Sequence, residues 1–153
     1  VKLSDMVRIN DNRYGEFTPL LDKAMQAYTD GLGAGAVVYL RKIFEKITVK
    51  TAKAVDIEYA QYKGGNPKNF SDLLKKVDEK CSIIPKEFSA NGYKLFRELS
   101  GVVHGEYDEE AGLKNFEALH RLVIGILENA INHKELLDAI TVLGWNEERG
   151  EDK

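Results

Sequence analysis

The stretch GLGAGAVVYLRKIFEKI, residues 31–47, poses the first question about the fold. Its opening glycines and alanines loosely resemble a phosphate-binding loop, but no strand pattern precedes them. The residues that follow recur at helical spacing and form one apolar face: Val37, Leu40, Ile43, Phe44 and Ile47. Small residues at the start of such a helix allow a neighbouring helix to approach closely. We therefore favour a packed helix over a nucleotide-binding loop.

Capping residues and apolar periodicity predict the other helices. Thr18 and Pro19 suit the start of a helix that Gly31 ends, and Ser71 suits the start of a short helix over 71–80. Pro85 is expected to open the next helix. Asp108 is expected to cap a long apolar helix, the predicted centre of the bundle. A separate last helix, beginning near residue 134, is expected to end at Gly144. Together these segments indicate an all-α fold.

We predict one domain, a bundle of five to six helices over residues 17–144. Residues 1–16 are expected to form an N-terminal arm, and residues 145–153 a charged tail. The chain has 153 residues, of which 43% are hydrophobic, so one core is feasible without disulfides. Strand-like alternation and internal repeats are absent from the sequence.

Composition excludes several classes of function. The net charge of −3 gives no general attraction to nucleic acid, although it allows a local basic patch. Cys81 is the only cysteine, so no disulfide within the chain is predicted. The three histidines lack metal-binding spacing, so we predict no metal and no other cofactor. Without a long apolar run or a visible signal peptide, no membrane contact and a reducing, cytoplasmic location are expected.

The segment RELSGVVHG, residues 97–105, holds the strongest candidate site. On a continuous helix Arg97 and His104 would share a face, about 10 Å apart along the axis. His104 could then act as a general acid or base on RNA, while Arg97 neutralises phosphate charge and Glu98 orients one of them. The alternative is a helix end, where His104 meets the negative end of the helix dipole and Gly105 terminates the helix.

The segment LFRELSGVVHG, followed by an acid-capped long helix, resembles the HEPN superfamily of helical domains. The Arg-x6-His spacing of Arg97 and His104 fits its motif, and the likeness is greatest to bacterial domains associated with restriction and defence proteins. Arg41 and Glu45 match a second pattern of that subgroup. The resemblance implies a metal-independent endoribonuclease whose homodimer brings two motifs to one cleft. Many members instead bind partners or regulate them, and Glu98 stands where active ribonucleases typically carry Asn, Asp or His.

A basic stripe provides the candidate nucleic-acid surface: Arg41, Lys42, Lys46 and Lys50. The lysines recur every four residues, so a helix would present them along one side, where they could follow a phosphate backbone. A solvated helix face explains the same pattern. The sequence therefore leaves two functions. The first is an RNA-binding or RNA-cleaving domain of a defence or toxin system. The second is a non-catalytic module that dimerises, or that binds a nucleotide or a fused or adjacent partner domain.

Overall fold

A computed structural model of the chain describes residues 14–58, 67–88, 91–101 and 108–145. The described part is all-α and contains no strand, as predicted. Its five α-helices are α1 (Thr18–Thr29), α2 (Gly33–Ala54), α3 (Pro67–Cys81), α4 (Asn91–Ser100) and α5 (Glu109–Leu143). Two 3₁₀ turns, Gly15–Phe17 and Lys86–Phe88, precede α1 and α4.

Helix α2 is the hub of the bundle, because it contacts each of the other four α-helices. Its apolar residues predicted from periodicity are all buried: Val37, Leu40, Ile43, Phe44 and Ile47. The long helix after Asp108 was the predicted centre, and that interpretation is wrong. Helix α5 packs chiefly along α2, so it forms one wall of the bundle.

Two glycines set the crossing of α2 and α5. A methyl group added to Gly33 would overlap backbone atoms of Glu109, Leu113 and Gly112, and one added to Gly112 would overlap Gly33. The two backbones therefore touch without intervening side chains. Ala34 N also donates to Glu109 Oε2 at 3.2 Å, which places a carboxylate at the amino end of α2. The expected close-packing role of GLGAGA is confirmed.

Helix α5 is one continuous helix of 35 residues, not the predicted pair. The sequence around residue 134 contains neither proline nor glycine, so nothing breaks the backbone hydrogen bonds there. Asp108 caps the start by accepting from Ala111 N at 2.8 Å, and Gly144 ends the helix with φ of +74°. Both of these caps were predicted.

The remaining helix boundaries differ by a few residues. Helix α3 begins at Pro67, so Ser71 lies inside it rather than at its cap. Pro85 precedes a 3₁₀ turn, and α4 begins only at Asn91. Gly31 ends the first helical region with φ of +80°, as predicted. Phe17, the first residue of the predicted domain, is buried, and Tyr14 Oη of the preceding segment donates to Glu128 Oε1 at 2.8 Å.

An aromatic cluster connects α2, α3 and α4. Phe70 and Phe96 stack with ring centroids 4.0 Å apart, and the edge of Phe44 meets both rings at 5.6 and 6.2 Å. Such contacts are worth about 0.5–1.5 kcal/mol each beyond burial. The cluster fixes Phe96, and with it the last turn of α4 that carries Arg97.

Replacing Gly112 with alanine should destabilise the protein by about 2 kcal/mol, because the new methyl group must push two backbones apart. The matched change Gly125→Ala, on the same helix, meets only side-chain atoms at 3.8 Å or more. It should stabilise the protein by about 0.5–1 kcal/mol through reduced backbone entropy. Urea unfolding followed by circular dichroism measures both. Equal effects of the two substitutions would contradict the backbone contact.

Candidate functional site

Arg97 and Glu98 lie side by side on the last turn of α4, and both are exposed. His104 lies outside the described residues, so its position relative to Arg97 stays a prediction. The assumption that one helix continues from residue 97 through residue 104 is wrong. Helix α4 ends at Ser100, and Gly101 N donates to Glu98 O in a tight final turn. The helix-end interpretation of His104 also stays a prediction, because residues 102–107 lie outside the described part of the chain.

Arg41 projects from α2 towards this end of α4. Its guanidinium lies 5.7 Å from the ring centroid of Phe96, the residue before Arg97, in a cation–π contact. Its Nε is 3.1 Å from Glu45 Oε1. The geometry is that of an ion pair rather than a hydrogen bond, since the buried Nε–H has no acceptor among the described residues. The Arg41 side chain is only 14% exposed, and it lies beside the residue that precedes Arg97.

The lysine stripe forms as predicted along the exposed side of α2. Lys42 lies over the ring of Tyr39, while Lys46 and Lys50 both lie over Phe17. Arg41 does not join the stripe, because it faces α4 instead. The sequence prediction therefore combined two surfaces that the helix separates.

Glu16 is the residue that sequence analysis missed. Its carboxylate lies 2.6 Å from Lys50 Nζ and 3.7 Å from Lys46 Nζ. The hydrogen bond from Lys50 is the main reason that the pKa of Glu16 is lowered, although the group is largely exposed. The sequence offered no signal, because Glu16 belonged to the predicted arm. Its pairing neutralises part of the basic stripe.

The stripe borders an open groove of about 570 Å³ whose lining includes Lys42, Glu45, Lys46 and Lys50, with Glu16 and Lys53. Four lysines face two glutamates, so the groove carries a net charge of +2. The excess is small enough that a solvated helix face remains a sufficient explanation of the stripe.

The described residues at the end of α4 also include a buried hydroxyl group. Ser100 Oγ is buried and has no hydrogen-bond partner among the described residues. Within the same residues, no three His, Cys, Asp or Glu side chains cluster as metal ligands. Nor does any described helix have the length and apolar character needed to cross a bilayer.

The two described histidines occupy different surroundings. The ring of His120 stacks on Phe116 at 5.4 Å, and His133 lines a cavity at the far end of the bundle. Burial lowers the pKa of His120 below its ordinary value of 6.5, and Arg121 contributes in the same direction. Neither histidine lies on α4 beside Arg97.

The comparisons with known proteins add no relative. No family model, curated protein or solved structure matches the chain.

Acidification should destabilise the protein through His120. The folded state holds this imidazole neutral below pH 6.5, where the unfolded chain already binds a proton. Stability is therefore greatest above pH 6.5 and falls as the pH drops towards the lowered pKa. Urea unfolding at pH 8, 6.5 and 5 should show a smaller loss for His120→Gln than for the wild type. Parallel pH profiles would rule out this contribution.

Proposed function

We propose that the domain binds RNA at the exposed end of α4 and that Arg97 and His104 form its candidate cleavage pair. The observation that carries the proposal is the contact of Arg41 with Phe96, the residue that precedes the exposed Arg97. Arg97 is exposed on α4, while Arg41 of α2 packs against Phe96 and is paired with Glu45. The HEPN resemblance supports the same residues, as does the basic stripe on α2.

The chemistry follows from the residue types. A guanidinium binds phosphate with two parallel hydrogen bonds and keeps its charge at any physiological pH. Arg97 would hold the scissile phosphate, with Arg41 as a second cation. His104 would remove the proton from the 2′-hydroxyl or protonate the leaving oxygen. Glu98 would orient the imidazole of His104. We place the RNA in a cytoplasmic setting and expect a homodimer in the cleaving form.

RNA cleavage in the presence of a chelator tests the pair. His104→Ala should reduce cleavage by about 10²–10⁴-fold, the usual contribution of a general acid–base group. Arg97→Ala should reduce it by about 10²–10³-fold, the usual loss when one donor to the transition-state charge is removed. Arg121→Ala, an exposed arginine on α5, is the matched control and should leave the rate unchanged. Equal cleavage by the wild type and His104→Ala would exclude catalysis. Binding that depends on Arg97 without any cleavage would leave the domain an RNA-binding module.

The lysine stripe makes a separate prediction about affinity. Lys42→Glu should weaken binding of a single-stranded RNA oligomer roughly three- to tenfold. It should also reduce the slope of log affinity against log salt by about 0.7 for each phosphate that is no longer neutralised. Lys75→Glu carries the same charge change on an exposed site of α3, away from the groove. Fluorescence anisotropy at several salt concentrations compares the two variants. Identical salt slopes would show that the lysine stripe does not contact the RNA.

The end of α5 favours the alternative function, a non-catalytic module that dimerises. Helix α5 is about 52 Å long and α2 about 33 Å, so the last turns of α5 pass beyond its main partner. Leu136 and Leu143 are 56% and 57% exposed there, and with Ile140 they follow the spacing of a helix-pairing seam. The Lys134–Asp138 ion pair lies on the opposite side of the helix. The uncharged seam suits a second copy of the chain.

Sedimentation equilibrium separates this dimer from the nuclease dimer. The seam begins 27 residues after the start of α5, about 40 Å along its axis. Pairing there would not bring two Arg97 turns to one cleft. Leu136→Glu should convert the dimer to monomer, whereas Val142→Glu, at a still more exposed position off the seam, should not. A monomeric wild type would exclude the alternative.

A further inference from the structure

We propose that a cavity at the far end of the bundle binds a neutral, apolar small molecule. The cavity has a volume of about 300 Å³. It lies between the first 3₁₀ turn, the last turns of α2, the end of α3 and residues 130–138 of α5. No residue of α4 lines it, so it is separate from the Arg97 turn.

The walls of the cavity are mainly apolar, and Thr51 and His133 add polar groups to the lining. Phe17 and Ile47 form one side, Ala130 and Leu137 the other, and Cys81 closes it as a thiol almost without solvent exposure. Burial raises the pKa of the Cys81 thiol, which keeps this group uncharged. An apolar cavity of about 150 Å³ stays dry and accepts benzene. A cavity of twice that volume has room for a molecule of two or three rings or a comparable aliphatic chain.

The charges at the mouth select against ions. Lys50 is paired with Glu16 at 2.6 Å, and Lys134 with Asp138 at 3.0 Å. Because each charge at the mouth is already paired with an opposite charge, an anionic or a cationic ligand gains little from its own charge there. A neutral molecule enters without breaking either pair and gains the burial of its apolar surface. The class of ligand is therefore neutral rather than amphiphilic.

Two dyes of the same skeleton test this specificity. N-phenyl-1-naphthylamine is neutral, and 1-anilinonaphthalene-8-sulfonate adds one negative charge. Fluorescence titration of the full chain should show the neutral dye binding at least fivefold more tightly. Equal or tighter binding of the sulfonate, or no binding of the neutral dye, would overturn the proposal.

Matched substitutions locate the bound dye. Ala54→Trp should weaken binding of the neutral dye at least tenfold, because the indole ring fills the cavity. Ala139→Trp, at an exposed position outside the cavity, should leave binding unchanged. Leu137→Gln changes only wall polarity and should weaken binding about threefold, which keeps the test valid if the tryptophan variant misfolds. Leu136→Glu is the control for dye on the exposed seam of α5. Loss of binding in Leu136→Glu alone would refute the cavity as the site.

Discussion

The contact between the backbones of Gly33 and Gly112 is the constraint on which the rest of the bundle depends. A side chain at either position would separate α2 from α5 at the start of both helices. Close approach there places the Glu109 carboxylate against the amino end of α2. It also fixes the direction in which α2 passes through the bundle. Every other helix then packs on α2.

That arrangement determines where chemistry is possible. The side of α2 that faces α4 holds Arg41 against the aromatic cluster, and the exposed side carries the lysines. The turn that bears Arg97 is fixed through Phe96, which stacks on Phe70. The far ends of α2 and α5 enclose the apolar cavity instead. Glu16 and Lys50 line both the lysine groove and this cavity, so α2 connects two neighbouring surfaces of different chemistry.

The sequence predicted the helices better than their ends or their pairings. Apolar periodicity located the buried face of α2, and Asp108, Gly31 and Gly144 marked real caps, because each acts on its own few neighbours. The continuity of α5 was missed, although residues 126–143 contain neither proline nor glycine. The Glu16–Lys50 pair could not be predicted, since it joins residues whose proximity depends on the packed fold.

The candidate site could be predicted only in part, because it too depends on how the helices pack. Spacing alone selected Arg97 and His104, but it assumed one helix where α4 ends at Ser100. It also placed Arg41 with the lysines, although the helix turns its side chain towards Phe96. Charge patterns in a sequence give the side of a helix, and the neighbouring helix decides which of those charges remain exposed.

Amide chemical shifts of labelled protein, recorded while a short single-stranded RNA is added, test the proposed RNA surface most directly. The account predicts the largest changes at Arg97 and Glu98, with smaller ones along α2 near Lys42. Residues 136–143 of α5 should remain unchanged and serve as an internal reference. Changes confined to that end of α5, or none at saturating RNA, would contradict it.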